Sequence, residues 1–208
     1  MKTVMTSFKN KLSKLSLSTT LIYVAIFGLS AWACERPQVS GYDDVSCLNE
    51  GLAWVKQNGK YGFIDKTGTI IIPAQYDDIY GFSEGLAPIK QANKWGFIDK
   101  TGKVVIPIQY DDVYTFSEGL APIEQNGKYG FIDKMGKLAM PAQYDSAYSF
   151  REGLAVIEQN GKYGFIDRTG TIVISTQYDD THSFKNNQAK VKLDDETFYI
   201  DKTGKHIQ

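Results

Sequence analysis

One interval governs this sequence, and it is 34 residues long. The Asp that closes Tyr-Gly-Phe-Ile-Asp or Trp-Gly-Phe-Ile-Asp falls at Asp65, Asp99, Asp133 and Asp167, and a fifth, altered copy ends at Asp201. Glu-Gly-Leu-Ala keeps the same step at Glu50, Glu84, Glu118 and Glu152. Tyr-Asp-Asp does so at Tyr42, Tyr76, Tyr110 and Tyr178, with Tyr-Asp-Ser at Tyr144. A fixed period without slippage means that one supersecondary unit is written several times, and that neighbouring copies bury each other's apolar faces.

Within a copy the signals are those of short strands and tight turns. Leu120-Ala121-Pro122-Ile123-Glu124-Gln125 reads as a strand, and Asn126-Gly127 as a two-residue hairpin turn whose residues tolerate positive φ. Lys128-Tyr129-Gly130-Phe131-Ile132-Asp133 is the second strand, aromatic and β-branched. Asp99-Lys100-Thr101-Gly102 has the Asp and Gly of a type I turn closing a three-residue hairpin. Lys103 to Pro107 is the third strand, and Pro107 bars it from the interior of a sheet. The connector Ile108 to Gly119 carries Tyr110, Val113, Tyr114 and Phe116, a pattern that suits either a short fourth strand or a helical turn.

The expected fold is therefore all-β: five tandem 34-residue antiparallel β-meander repeats. Copies fall at about 52–85, 86–119, 120–153, 154–187 and 188–208, after a lead and partial capping repeat at 34–51. Two architectures suit them. Thirty-four residues are few for a four-stranded propeller blade, which favours an open β-repeat array. The alternative, a small closed propeller-like ring, draws on an orphan connector at the start of the array and a last meander that lacks one. That last meander is degenerate, with Asp194-Asp195-Glu196 replacing the Asn-Gly turn, as a terminal repeat requires.

Residues 1–33 are different material. Lys2, Lys9, Lys11 and Lys14 make a basic start, Leu21 to Leu29 an apolar core, and Ala31-Trp32-Ala33 a cleavage site. Together they read as a signal-peptide helix, cleaved on export, too short for a comfortable transmembrane span. The segment holds four lysines and no acid, so its removal takes the formal net charge from −1 to −5. An acidic domain is a poor ligand for nucleic acid. Cys34 and Cys47, the only cysteines, both follow the cut, and export places them where a disulfide persists. The competing reading lipidates Cys34, although Trp32 fits a lipobox poorly. The expected location is exported, periplasmic or extracellular, with an outer-membrane lipoprotein as the alternative.

The recurring residues have mainly structural explanations. Gly62, Gly96, Gly130 and Gly164 sit inside strands, where glycine costs roughly 0.5–1 kcal/mol and needs a close backbone approach to justify it. The aromatics before them, Tyr61, Trp95, Tyr129 and Tyr163, suit a core ladder, or else the wall of a ligand pocket. Asp65, Asp99, Asp133 and Asp167 are turn residues that bond their own backbone. The pairs Asp77/Asp78, Asp111/Asp112 and Asp179/Asp180 are the one resource for calcium or hydrolytic acid–base chemistry, and two adjacent carboxylates fall short of a calcium shell. His182 and His206, the only histidines, lie in no nucleophile motif. No catalytic residue, cofactor or metal is expected.

Lys94-Trp95-Gly96-Phe97-Ile98-Asp99, with Gly102, Pro107, Tyr110-Asp111-Asp112 and Glu118-Gly119-Leu120-Ala121, resembles the WG (KWG) repeat family. The resemblance runs from about Gly41 to the C-terminus, with Tyr61, Tyr129 and Tyr163 standing in for the Trp. It implies a repeat scaffold without general enzymatic activity. The expected function is an exported binding or scaffold module whose partner is an unidentified protein or glycan. A lipid-anchored structural envelope protein is the alternative, and a hydrolase using the Asp pairs a remote one.

Overall fold

The computed structural model describes residues 34–207. The signal-peptide reading of residues 1–33 lies outside them. Five four-stranded antiparallel sheets follow one another along the chain. Sheet 1 holds β1 (Asp44–Val45), β2 (Leu52–Gln57), β3 (Lys60–Asp65) and β4 (Ile70–Tyr76). Sheet 2 holds β5 (Asp78–Ile79), β6 (Leu86–Gln91), β7 (Lys94–Asp99) and β8 (Val104–Tyr110). Sheet 3 holds β9 (Asp112–Val113), β10 (Leu120–Gln125), β11 (Lys128–Asp133) and β12 (Leu138–Tyr144). Sheet 4 holds β13 (Ser146–Ala147), β14 (Leu154–Gln159), β15 (Lys162–Asp167) and β16 (Ile172–Tyr178), and sheet 5 β17 (Asp180–Thr181), β18 (Ala189–Leu193), β19 (Glu196–Ile200) and β20 (His206–Ile207).

The connector resolves as a strand, and no helix occurs among the described residues. Its two-residue strand pairs with the meander that follows, as in Val113 opposite Ile123. The orphan connector at the start therefore supplies β1, the edge of sheet 1. Pro88, Pro107 and Pro122 lie within strands. Pro107 does not end its strand: β8 runs through it to Tyr110, because β8 is an edge strand and the β7–β8 register shifts at a bulge. Pro88 and Pro122 lie in interior strands, but the short strand beside each has ended, and only their carbonyls are used, accepting from Tyr80 and Tyr114 N–H at 3.1 Å. In sheet 1, Trp54 stands at that position, and its N–H donates to Ser46 Oγ at 2.8 Å.

The turns are those that the sequence calls for. Asn126 and Gly127 both have positive φ (55° and 74°), as a type I′ turn requires. A second two-residue turn occurs at every Glu-Gly: Ser83 and Leu86 exchange both backbone hydrogen bonds around Glu84 (φ 53°) and Gly85 (φ 86°). At Asp65 the backbone N–H of Thr67 and Thr69 and the Thr67 hydroxyl all donate to Oδ1, at 2.7–2.9 Å.

Core lies between sheets. Phe97 and Ile106 of sheet 2 pack on Val113, Phe116 and Ile132 of sheet 3, and the other neighbouring pairs repeat the arrangement. At each junction a strand Phe meets the next connector's Phe: Phe63–Phe82, Phe97–Phe116, Phe131–Phe150 and Phe165–Phe184, with ring centroids 4.7–5.1 Å apart. Burying one such ring contributes about 2–3 kcal/mol.

The ends settle the architecture. Among the described residues no core cluster joins sheet 5 to sheet 1, so the array is open and the closed ring is not formed. On sheet 1, Val39, Tyr42, Val45 and Leu48 of the lead cover Ala53, Val55 and Ile64. Val39 lies against Gly68, as Ile72 lies against Gly102 one step later. On the outer side of sheet 5 the positions of Leu154, Val156 and Phe165 are taken by Gln188, Lys190 and the half-exposed Tyr199. One end is covered, and the other is made polar.

Candidate functional site

Conserved spacing places most of the recurring residues in structural roles. A Cβ on Gly130 would lie 2.5 Å from the Met140 carbonyl oxygen and 2.7 Å from Ala142 N, and Gly62, Gly96 and Gly164 meet their third strands in the same way. Asp99, Asp133 and Asp167 hold their turns as Asp65 does. Hydrogen bonds from the Thr hydroxyl and backbone keep the carboxyls of Asp65, Asp99 and Asp167 below their ordinary values.

The Asp pairs divide their work. The first Asp clasps two sheets: Asp77 pairs with Lys60 of sheet 1, and its Oδ2 accepts from Ala92 N at 2.9 Å on the hairpin of sheet 2. Asp111 and Asp145 do the same with Lys94 and Lys128 and with Asn126 and Asn160 N–H, and Asp179 meets Lys162 at 2.5 Å. Hydrogen bonds from these lysines hold all four carboxyls low. A carboxylate held ionised and paired in neutral solution is a poor general acid. Asp44, Asp78 and Asp180 accept from the next residue of their own short strand, as Asp78 does from Ile79 N–H at 2.9 Å, whereas Asp112 accepts from the Tyr129 hydroxyl. Among the described residues no group of three metal-ligating side chains converges.

The Glu-Gly turns form a ladder that the sequence reading had not assigned. Gly85 N–H donates to Glu50, Gly119 to Glu84 and Gly153 to Glu118, at 3.0–3.1 Å, each from one sheet to the next. Asn186 and Asn187 N–H close the series on Glu152. Lys100, Lys134 and Lys202 reach Glu50, Glu84 and Glu152 at 3.1, 2.9 and 3.4 Å. Partial burial raises the carboxyls of Glu50 and Glu84, but the Lys and Gly donors outweigh it and leave them low.

What remains outside the inter-sheet core is a row of aromatic rings beside the short edge strands. The residue two after the second position of the pair (Asp78, Asp112 and Ser146 in sheets 2–4) is Tyr80, Tyr114 or Tyr148, with Ser46 at one end and His182 at the other. Tyr80 is 43% exposed and Tyr148 38% exposed. Tyr80 stacks on Trp95, centroids 5.1 Å apart and planes 11° apart, and so closes over a Trp that is itself buried. Tyr114 lies 6.4 Å from the ring of Tyr129 and 6.1 Å from that of Tyr148. The Tyr129 hydroxyl donates to Asp112 Oδ2 at 3.0 Å. Burial, and after it the Asp112 carboxylate, pushes the phenols of Tyr80, Tyr114 and Tyr129 up, so all three stay protonated in neutral solution. The row ends at His182, on an open cleft of about 920 Å³ that Phe150, Glu152, Phe184, Lys190 and Tyr199 also line.

The model of the WG containing repeat matches five times, over residues 41–61, 61–95, 95–129, 129–163 and 163–196. The chain belongs to the WG-repeat family. No curated protein matches the chain. Among solved structures, Hsv2 of Kluyveromyces lactis with its loop 6CD complete is similar at 12% identity over 82% of this WG-repeat chain and 65% of its own, with a TM-score of 0.53. The same protein with that loop replaced by a Gly-Ser linker aligns at 12% identity over 79% and 66%, with a TM-score of 0.54. The WG-repeat chain thus spans about two thirds of the length of Hsv2, and the likeness shows the fold alone.

Cys34 and Cys47 form a disulfide, Cα atoms 5.2 Å apart, that ties the lead to the edge of sheet 1. A thioether lipid on Cys34 would need the same sulfur, so the two modifications exclude each other. Tyr61 and Tyr163 lie half-buried at the equivalents of Trp95 and Tyr129, Tyr61 edge-on to Trp54 at 5.8 Å.

Proposed function

We propose that this WG-repeat chain is an exported, non-catalytic binding module that presents the aromatic row to a protein partner. The observation that carries the reading is the placement of Tyr80, Tyr114 and Tyr148 at one position of three successive sheets. None of these rings belongs to the inter-sheet core clusters. Tyr80 and Tyr148 are exposed and Tyr114 between them is half-buried, and aromatics at the surface in successive equivalent positions mark an interaction surface. Repeat arrays use such equivalent positions because a rigid scaffold sets their spacing. The first Asp of each pair, the candidate for acid–base chemistry, is tied into a Lys clasp instead. The Cys34–Cys47 disulfide supports export, since such bonds persist in oxidising compartments.

Crosslinking capture from the producing cell's envelope and medium tests the reading. Wild-type chain should retain a specific protein, and a Tyr80→Ser, Tyr114→Ser, Tyr148→Ser variant with unchanged circular dichroism should lose it. Retention by the triple variant would overturn the proposal. Mass spectrometry of the mature N-terminus should find it at Cys34, oxidised and without lipid; an acylated Cys34 would favour the anchored alternative.

A further inference from the structure

Resting on that reading of the aromatic row, we infer that its central segment, at Tyr114, Tyr129 and Tyr148 with Asp112 and Glu124, is a cation site that takes the Lys or Arg side chains of an extended basic peptide. Three observations on this segment converge.

The first is the geometry of the rings. Tyr114 has one ring neighbour from its own sheet, Tyr129 at 6.4 Å, and one from the next, Tyr148 at 6.1 Å, with planes tilted about 41–42° from each. Rings tilted and offset in this way do not cover one another's faces as a stacked pair does, and so leave ring face open to a ligand. An ammonium or guanidinium within about 6 Å of a ring face is attracted by its quadrupole.

The second is the charge. Asp112, Glu124 and Tyr129 lie opposite one another across β9, β10 and β11, so that two carboxylates stand in line with the ring. Neither belongs to the Lys–Asp clasps, which use the first Asp of each pair. Asp112 accepts only the neutral phenol of Tyr129, so its charge is not neutralised by a basic partner. Glu158 occupies the same position in sheet 4, beside Tyr163. A neutral glycan would use the rings but has no need of three unneutralised carboxylates; a cation needs both.

The third is the contrast with the flanking copies. Where sheet 3 has Glu124, sheets 1, 2 and 5 have Lys56, Lys90 and Lys192, each opposite an Asp of the short strand. Lys56 and Lys90 lie over the rings of Tyr61 and Trp95, 5.1 and 5.4 Å from their centroids. In sheets 1 and 2 the fold thus fills the ring-and-carboxylate position with its own lysine. In sheets 3 and 4 the lysine is replaced by Glu, and the same position is left for a cation from outside. The internal lysines show which chemical group the site accepts.

The test uses the purified, disulfide-bonded chain and three probes: an oligolysine decapeptide, an oligoglutamate decapeptide and a neutral β-linked oligosaccharide, each titrated by calorimetry at low and at physiological salt. Oligolysine should bind, more weakly as salt rises. Asp112→Asn and Glu124→Gln together should weaken it about tenfold or more. Asp44→Asn in sheet 1, where Lys56 fills the position, should leave it unchanged. Tyr129→Phe keeps the ring and should retain binding; Tyr114→Ala should not. Binding of oligolysine that ignores Asp112→Asn with Glu124→Gln overturns the inference. So does preference for the oligosaccharide, which would nevertheless leave the binding function of the row intact. No binding of oligolysine, together with partner capture that survives the triple Tyr→Ser variant, would end both.

Discussion

At the scale of single residues, the chain separates positions that build the fold from positions that the fold leaves over. Gly130 illustrates the first kind. Its φ is unexceptional, and the constraint is space: the β12 backbone passes where a side chain would begin. Gly130→Ala should cost about 2–3 kcal/mol through overpacking, whereas Gly127→Ala, with nothing near its Cβ, should cost only the roughly 1–2 kcal/mol of a left-handed backbone. Urea midpoints that reversed this order would contradict the close approach. The turn and clasp carboxylates have a shared signature as well. Asp65, Asp77, Asp99, Asp111, Asp145, Asp167, Asp179 and Asp201 all titrate below their ordinary range because hydroxyl, ammonium and backbone donors hold the ionised form. Folded values below the unfolded value, near 4, mean that their stabilisation is complete above about pH 5 and lost as pH falls through the folded values. Thermal midpoints should stay level from pH 7 to about 5 and then fall. A midpoint that rose on acidification below about pH 4 would refute that assignment.

At the scale of the element, turns, strands and the glycine approach were legible in the sequence because each depends on neighbours a few residues away. The connector was not. Tyr110, Val113, Tyr114 and Phe116 fit a strand or a helical turn equally well, and the choice is made by a partner strand and by the previous sheet's Phe, neither of them local. The same holds for the Glu ladder, whose acceptor and donor lie 35 residues apart; Pro107, by contrast, marked β8 as an edge strand from the sequence. The aromatic row escaped for a different reason. Its step of 34 residues was in view, but a ring recurring in three successive copies looks like core until its exposure is known. Tyr80 and Tyr148 are on the surface, while the Trp95 of the family signature is beneath it. The Phe–Phe junction carries the inter-sheet contact, so Phe131→Ala should destabilise by about 3–5 kcal/mol. Phe198→Ala, at a partly covered position in sheet 5, should cost clearly less in the same denaturation experiment. Equal losses would mean that the junction is not where stability resides.

At the scale of the whole molecule, an open array must solve a problem that a ring does not have: two terminal faces without a neighbour. The N-terminal lead, stapled by Cys34–Cys47, lays Val39, Tyr42 and Leu48 over the first. The second is solved by composition, with Gln188 and Lys190 where inner sheets have Leu and Val or Pro. Core therefore sits on both sides of the middle sheets and on one side of the last. Native-state hydrogen exchange, read sheet by sheet, tests this most directly. The β10–β11 amides of sheet 3 should be the slowest, and those of β18–β19 in sheet 5 should exchange at least about tenfold faster, because opening the last sheet breaks one interface and not two. Protection of sheet 5 equal to that of sheet 3 would contradict the open array and point to a closed one.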